Sequence, residues 1–122
     1  MKSVWMVFLG GGLGTVIRYG ISSIQPLHGL RFPWPTLMAN VLAALLLGWV
    51  LQLDLKHTDP NKYLLLATGF CGGLSTFSTF SMESIQLFQR GETILGLLNI
   101  VLNILLSFWA VWLLAQQTSA SE

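Results

Sequence analysis

The sequence predicts an all-α integral membrane protein with four transmembrane helices, the third of them broken near its middle. Three observations carry this reading. Hydrophobic residues make up 53% of the 122-residue chain and charged residues only 9%, against roughly 25% charged in a water-soluble domain. The apolar residues gather into four runs, about 3–24, 36–53, 62–89 and 93–115, each close to or above the roughly 20 residues that a helix needs to cross the hydrocarbon core. The third run is longer than one crossing requires and carries Gly69, Gly72 and Gly73 near its centre, where a continuous helix is weakest. Four spans in so short a chain leave room for a single membrane domain, residues 1–122.

In the first span, Lys2 followed by the apolar stretch Val4 to Leu9 has the charge and hydropathy of a short secretory leader. No small-x-small cleavage site follows, because Gly10 to Gly14 continues through Val16 and Ile17 to Arg18 and Tyr19, and the segment reads as a span. Gly10, Gly11, Gly12 and Gly14 are not a dinucleotide fingerprint, since no strand precedes them and the third glycine of that motif is missing. Gly10 and Gly14 instead share a helical face on which a neighbouring helix approaches closely. Arg18 extends that face by one turn. It either snorkels to the membrane surface or draws an anion toward a vestibule.

Pro26, Pro33 and Pro35 punctuate the connection to the second span, and Pro35 suits a helix start. Thr36, Asn40, Ala44 and Gly48 then follow at intervals of four, with Asn40 offering amide donors at depth, for packing or for a ligand. In the fourth span Asn99, Asn103 and Ser107 recur at the same interval, and the series stops at Val111. Polar groups at this depth must face protein or water, so the stripe is either glue between helices or the lining of a path. The most informative stretch is GFCGGLSTFSTFS, residues 69–81. A break there would leave one half-helix offering carbonyls, which attract cations, and another offering N–H groups, which attract anions. Beyond it Phe77 and Phe80 lie three apart, with Ser84 on the next turn and Thr76, Thr79 and Glu83 beside them. An aromatic edge carries partial positive charge, so edge-on rings beside hydroxyls would hold a small anion weakly, as conduction needs.

Loop charge gives no orientation: Lys2, Lys56 and Lys62 fall on one side of the membrane, Arg18, Arg31 and Arg90 on the other. Insertion in both directions would let two copies pair head to tail as an antiparallel homodimer. Four short helices also enclose a path poorly without a partner. A net charge of +1 excludes a nucleic-acid partner. Cys71 is the single cysteine and His28 and His57 are loop residues, so neither a disulfide within the chain nor a Cys/His zinc site is expected. No phosphate-binding loop or nucleophile set is present, and the chain is not expected to be an enzyme.

With GFCGGLSTFSTF in the third span, GGGLGTVIRY in the first and PTLMANVLAALLLG in the second, the sequence resembles the CrcB/Fluc family of fluoride channels along nearly its whole length. The resemblance implies a passive, fluoride-selective channel that exports cytoplasmic fluoride and lowers its toxicity. It also implies a dual-topology antiparallel homodimer embedded in the lipid of a bacterial inner membrane, with two pores. One structural sodium ion would sit at the dimer interface, held by the backbone carbonyls of Gly72 and Ser75. Phe77 and Phe80 would line the pores with Asn40, the hydroxyls of Ser78, Thr79 and Ser107, the conduction-supporting Arg18 and the acidic Glu83. Ser75 stands where the family pattern usually has Thr, and Val111 where relatives often carry Thr. The alternative is a proton-coupled transporter of the small multidrug resistance type, which needs a carboxylate in the first span; this first span has none. A membrane subunit that merely packs is a third reading, under which the polar stripes are glue.

Overall fold

The computed structural model describes residues 1–24 and 29–116. His28 and the polar tail beyond residue 116 lie outside them. Within them the chain is helical, with no strand. Helix α1 covers Lys2–Ser22, α2 Trp34–Gln52, α3 Leu55–Thr58 and α4 Pro60–Tyr63. A π-helical stretch, Leu64–Cys71, leads into α5, Gly72–Leu74, followed by α6, Phe77–Gln89, and α7, Thr93–Ala115. Among the described residues, four helical stretches are long and apolar enough to cross a membrane: Lys2–Ser22, Trp34–Gln52, Pro60–Gln89 and Thr93–Ala115. At 1.5 Å per residue the 21 residues of α1 extend about 32 Å, the depth of the hydrocarbon core.

The ends of these helices follow local chemistry. Pro35 occupies the first turn of α2, where its missing N–H costs nothing. Asp54 adopts a left-handed conformation (φ 49°) before α3, which a short polar side chain tolerates. His57, expected in a loop, is in α3 and bonds Asp54 at 2.6 Å. The Asp59 carboxylate accepts from the Lys62 N–H at 3.2 Å and caps α4, and Pro60 follows as a first-turn proline. At the end of α6, Gly91 (φ 79°) lets its N–H reach the Phe88 carbonyl and the Glu92 N–H reach that of Leu87. That pair of bonds closes the helix and turns the chain into α7.

Packing runs in two layers, α1 along the third span and α2 along α7, with α6 also against α7. Small residues make the contacts. A Cβ on Gly10 would meet the Leu65 carbonyl, and one on Gly14 the Phe70 carbonyl. From the other side, a Cβ on Gly69 would lie 2.9 Å from the Val7 carbonyl, and one on Gly73 would meet that of Gly11. Glycines spaced by four on both helices therefore bring backbone against backbone, as the first-span spacing suggested for its own side. Between α2 and α7, Gly48 faces Ala110 and Leu114, and the Gln52 amide donates to the Leu114 carbonyl. Ala39, Ala43 and Leu74 form the buried centre, with Ile21 and Phe70 packed on it. Large apolar side chains such as Phe8, Leu13, Val16, Phe108 and Trp109 are left exposed, which suits helices long and apolar enough to cross a membrane.

Candidate functional site

Between α5 and α6, Ser75 (φ −80°, ψ 155°) and Thr76 (φ −151°, ψ 122°) are extended. The residue types explain why. Two glycines precede the pair and weaken the helix, and hydroxyl side chains offer the backbone other partners. The Ser75 hydroxyl donates to the Cys71 carbonyl at 2.8 Å. The Thr76 N–H, which in a continuous helix would reach the Gly72 carbonyl, donates instead to Asn40 Oδ1 at 2.8 Å. Thr76 then caps α6, its Oγ1 accepting from the Thr79 N–H at 3.2 Å. The carbonyls of Gly72 and Ser75 thus lose the N–H groups a helix would give them. That of Gly73 is differently placed, since Arg18 Nε donates to it at 3.1 Å and the Thr15 hydroxyl at 3.4 Å.

Asn40 sits at the centre of a directed chain of hydrogen bonds. A backbone N–H only donates, so the Asn40 oxygen must face Thr76, and its Nδ2 donates to Asn103 Oδ1 at 2.8 Å and to the Thr76 carbonyl at 3.3 Å. Asn103 Nδ2 in turn donates to the Asn99 side-chain and backbone oxygens, both at 2.8 Å. Asn99 Nδ2 donates to the Ser84 hydroxyl at 2.9 Å, and that hydroxyl to the Phe80 carbonyl at 2.8 Å. Because the chain ends on a carbonyl, which only accepts, its direction is fixed from both ends. Asn99, Asn103 and Ser84 are 0%, 5% and 4% exposed.

Two cavities flank this arrangement, and Thr76 is in the wall of both. The first, about 360 Å³, is polar: Arg18, Arg31, Arg90 and Glu83 line it with Thr36 and Thr79. Glu83 Oε1 accepts from the Thr36 hydroxyl at 2.8 Å, while Oε2 is enclosed with no hydrogen-bond partner among the described residues. The second, about 780 Å³, is a mostly apolar groove lined by Asn40, Gly72, Ser75, Phe77, Phe80 and Ser107 among others. The Phe77 and Phe80 rings lie 5.5 Å apart at 55°, but Phe77 is 79% exposed and Phe80 only 7%. Ser78 points outward, its hydroxyl 3.4 Å from that of Thr76, and lines neither cavity.

Apart from Ser78, the pathway and cation residues singled out in the sequence fall into two groups. Arg18, Thr79 and Glu83 face the polar cavity, and Asn40, Gly72, Ser75, Phe77, Phe80 and Ser107 face the apolar groove. Sequence reasoning missed the hydrogen bond from Thr36 to Glu83, the two hydrogen bonds between Asn40 and Thr76 and the one from Asn99 to Ser84. A signal existed for the first two. Thr36 and Asn40 are one turn apart on α2, as are Thr76, Thr79 and Glu83 in series before and within α6.

Four apolar spans around a buried carboxamide network define a multi-pass α-helical membrane protein. The family described as "CrcB-like protein, Camphor Resistance (CrcB)" matches residues 5–114, and the chain belongs to it. It is 44% identical over 115 residues to the fluoride-specific ion channel FluC of Pyrococcus furiosus, covering 93% of each chain. It is 43% identical over 107 residues to the protein of that name from Serratia proteamaculans, covering 85% of this chain and 84% of that one. With the one from Klebsiella pneumoniae it is 43% identical over 122 aligned residues, 93% and 94% of the two chains.

Proposed function

We propose that this chain is a passive, fluoride-selective ion channel that lets fluoride leave the cytoplasm of a bacterium through the inner membrane. The observation that carries the reading is identity above 40%, over 93% of both chains, with a protein named as a fluoride-specific ion channel. The chemistry of the site agrees with it. Fluoride is a small, strongly hydrated anion, so a path for it needs hydrogen-bond donors and electropositive edges in place of water, without tight binding. Arg18, Arg31 and Arg90 around the polar cavity outweigh the single Glu83 and favour an anion there. Across the wall formed by Thr76, the amide of Asn40, the rings of Phe77 and Phe80 and the hydroxyl of Ser107 face the groove. Passage needs no fuel, and no side chain acts as an acid, base or nucleophile.

In this reading the chain works as an antiparallel homodimer of dual topology, whose second copy covers the groove and completes the path. The third span acts as two half-helices meeting at Ser75 and Thr76 inside the membrane. Carbonyl oxygens are hard donors that suit sodium, and those of Gly72 and Ser75 are among the ones that lose their helical partners at the break. These two would hold a structural sodium together with their counterparts in the second copy, and the ion would neutralise carbonyl ends brought close at the interface. A proton-coupled transporter of lipophilic cations would need a carboxylate in the first span, and α1 contains neither Asp nor Glu.

The test is passive efflux. Liposomes loaded with fluoride and carrying the purified protein should release it within seconds of shunting the membrane potential, as read by a fluoride electrode, while chloride-loaded liposomes should not respond. Absence of fluoride release from the wild-type protein would refute the channel.

A further inference from the structure

We propose that Ser84 and Asn99, acting through Asn103 in the groove wall, are positioning residues for anion passage. Their chain of hydrogen bonds fixes the Asn40 carboxamide so that it holds Thr76 extended and turns an N–H, not a carbonyl, toward the groove. The inference rests on the channel reading for the word passage, but its geometry stands apart from it.

Asn99 is wholly enclosed and lines neither cavity, so it touches no permeating ion. What it does touch is on either side of it: Asn103, whose amide it accepts twice, and Ser84, to which it donates. Simple glue between helices would be served by any one of these bonds. The arrangement instead passes direction along. The Ser84 proton is committed to the Phe80 carbonyl, so Ser84 only accepts from Asn99. The remaining oxygen of Asn99 then only accepts from Asn103, whose oxygen is left to accept from Asn40. The amide end of Asn40 is thereby held toward Asn103 and the oxygen toward the Thr76 N–H. One Asn40 hydrogen is committed at 2.8 Å to Asn103, and the other makes the long 3.3 Å contact to the Thr76 carbonyl. The long contact is the weaker of the two, and it is the donor an anion in the groove can claim. A flipped Asn40 would present its oxygen there and repel the ion.

The experiment pairs two readouts that a role in folding alone would not link. In detergent micelles, hydrogen exchange of the Thr76 N–H reports whether Asn40 still holds it; in liposomes, the electrode reports fluoride efflux. Ser84→Ala removes only the hydroxyl on which Asn99 ends, and Ser84→Thr restores it. Asn99→Leu removes the amide at similar size. Ser84→Ala and Asn99→Leu should speed Thr76 exchange by roughly tenfold or more, the scale expected when a buried polar partner is lost. Efflux should fall alongside, and Ser84→Thr should keep both near wild type. Should Asn99→Leu not fold, the Ser84 pair decides. Folded Ser84→Ala protein with wild-type Thr76 exchange, or with fast exchange but wild-type efflux, would overturn the proposal. A wild-type protein that conducted no fluoride would instead remove the channel reading, and with it the link to passage, while Thr76 exchange would still decide whether these residues hold Asn40.

Discussion

Phe77 and Phe80 are three residues apart and nearly touch, yet they stand in opposite situations, 79% and 7% exposed. Truncating the buried ring leaves a cavity, and Phe80→Ala should cost the folded chain about 3 to 5 kcal/mol. Phe77→Ala removes a ring that the chain itself hardly covers, so thermal unfolding in micelles should change little. Loss of fluoride efflux in a Phe77→Ala protein of wild-type thermal stability would therefore assign that ring to the path. Equal destabilisation by both changes would contradict the burial seen here. Outside the membrane, Asp59 shows how one cap sets a pH response. The Lys62 N–H holds its carboxyl below the ordinary carboxylate range. A carboxylate whose folded pKa is depressed contributes stability that is complete above its unfolded pKa and is lost as pH falls through the folded one. Exchange of the Lys62 N–H should thus quicken, relative to its intrinsic rate, on acidification below the carboxylate range, and Asp59→Asn should flatten that response.

At the scale of the helix, the glycines of α1 divide by what faces them. A Cβ at Gly14 would run into the Phe70 carbonyl, a backbone atom with little freedom to move, whereas one at Gly12 meets nothing within 4 Å. Gly14→Ala should separate α1 from the third span and lower the unfolding temperature. Gly12→Ala should raise it slightly, since alanine is favoured over glycine in a helix by roughly 1 kcal/mol. Comparing the two melting curves checks the packing directly, and a Gly14→Ala protein as stable as Gly12→Ala would contradict it. Periodicity made much of this legible. Spacings of four placed Gly10 with Gly14 and Asn99 with Asn103, because residues one turn apart share a face whatever lies opposite. The same reasoning could not supply what lies opposite. Nothing in the spacing of residues 64–71 marks the π-helical turns that aim the Leu65 and Phe70 carbonyls at α1. Nor does composition reveal that the Thr76 N–H leaves its helix for Asn40, 36 residues earlier. Both are outcomes of tertiary contact, which a one-dimensional pattern carries only as the residue types that permit it.

At the scale of the molecule, the groove and Gly72 together make assembly testable apart from folding. Gly72 has helical dihedrals (φ −63°, ψ −36°), and a Cβ there would have no neighbour within 4 Å. Within one chain a leucine at this position is therefore accommodated, and it improves local helix propensity. In the proposed dimer the same position faces the second copy, where carbonyls from both chains approach a shared cation and a bulky side chain would hold them apart. Gly72→Leu should leave helix content by circular dichroism unchanged. It should also shift the protein in micelles from the mass of two chains to that of one, measured by light scattering with the detergent contribution subtracted, and abolish fluoride efflux. Gly12→Leu is a contrasting control, because that site is equally open within the chain but lies on α1 away from the groove. It should remain dimeric and conducting. A Gly72→Leu protein that kept both the dimer mass and the efflux would show that the two copies do not meet at Gly72, and would remove the cation from that place.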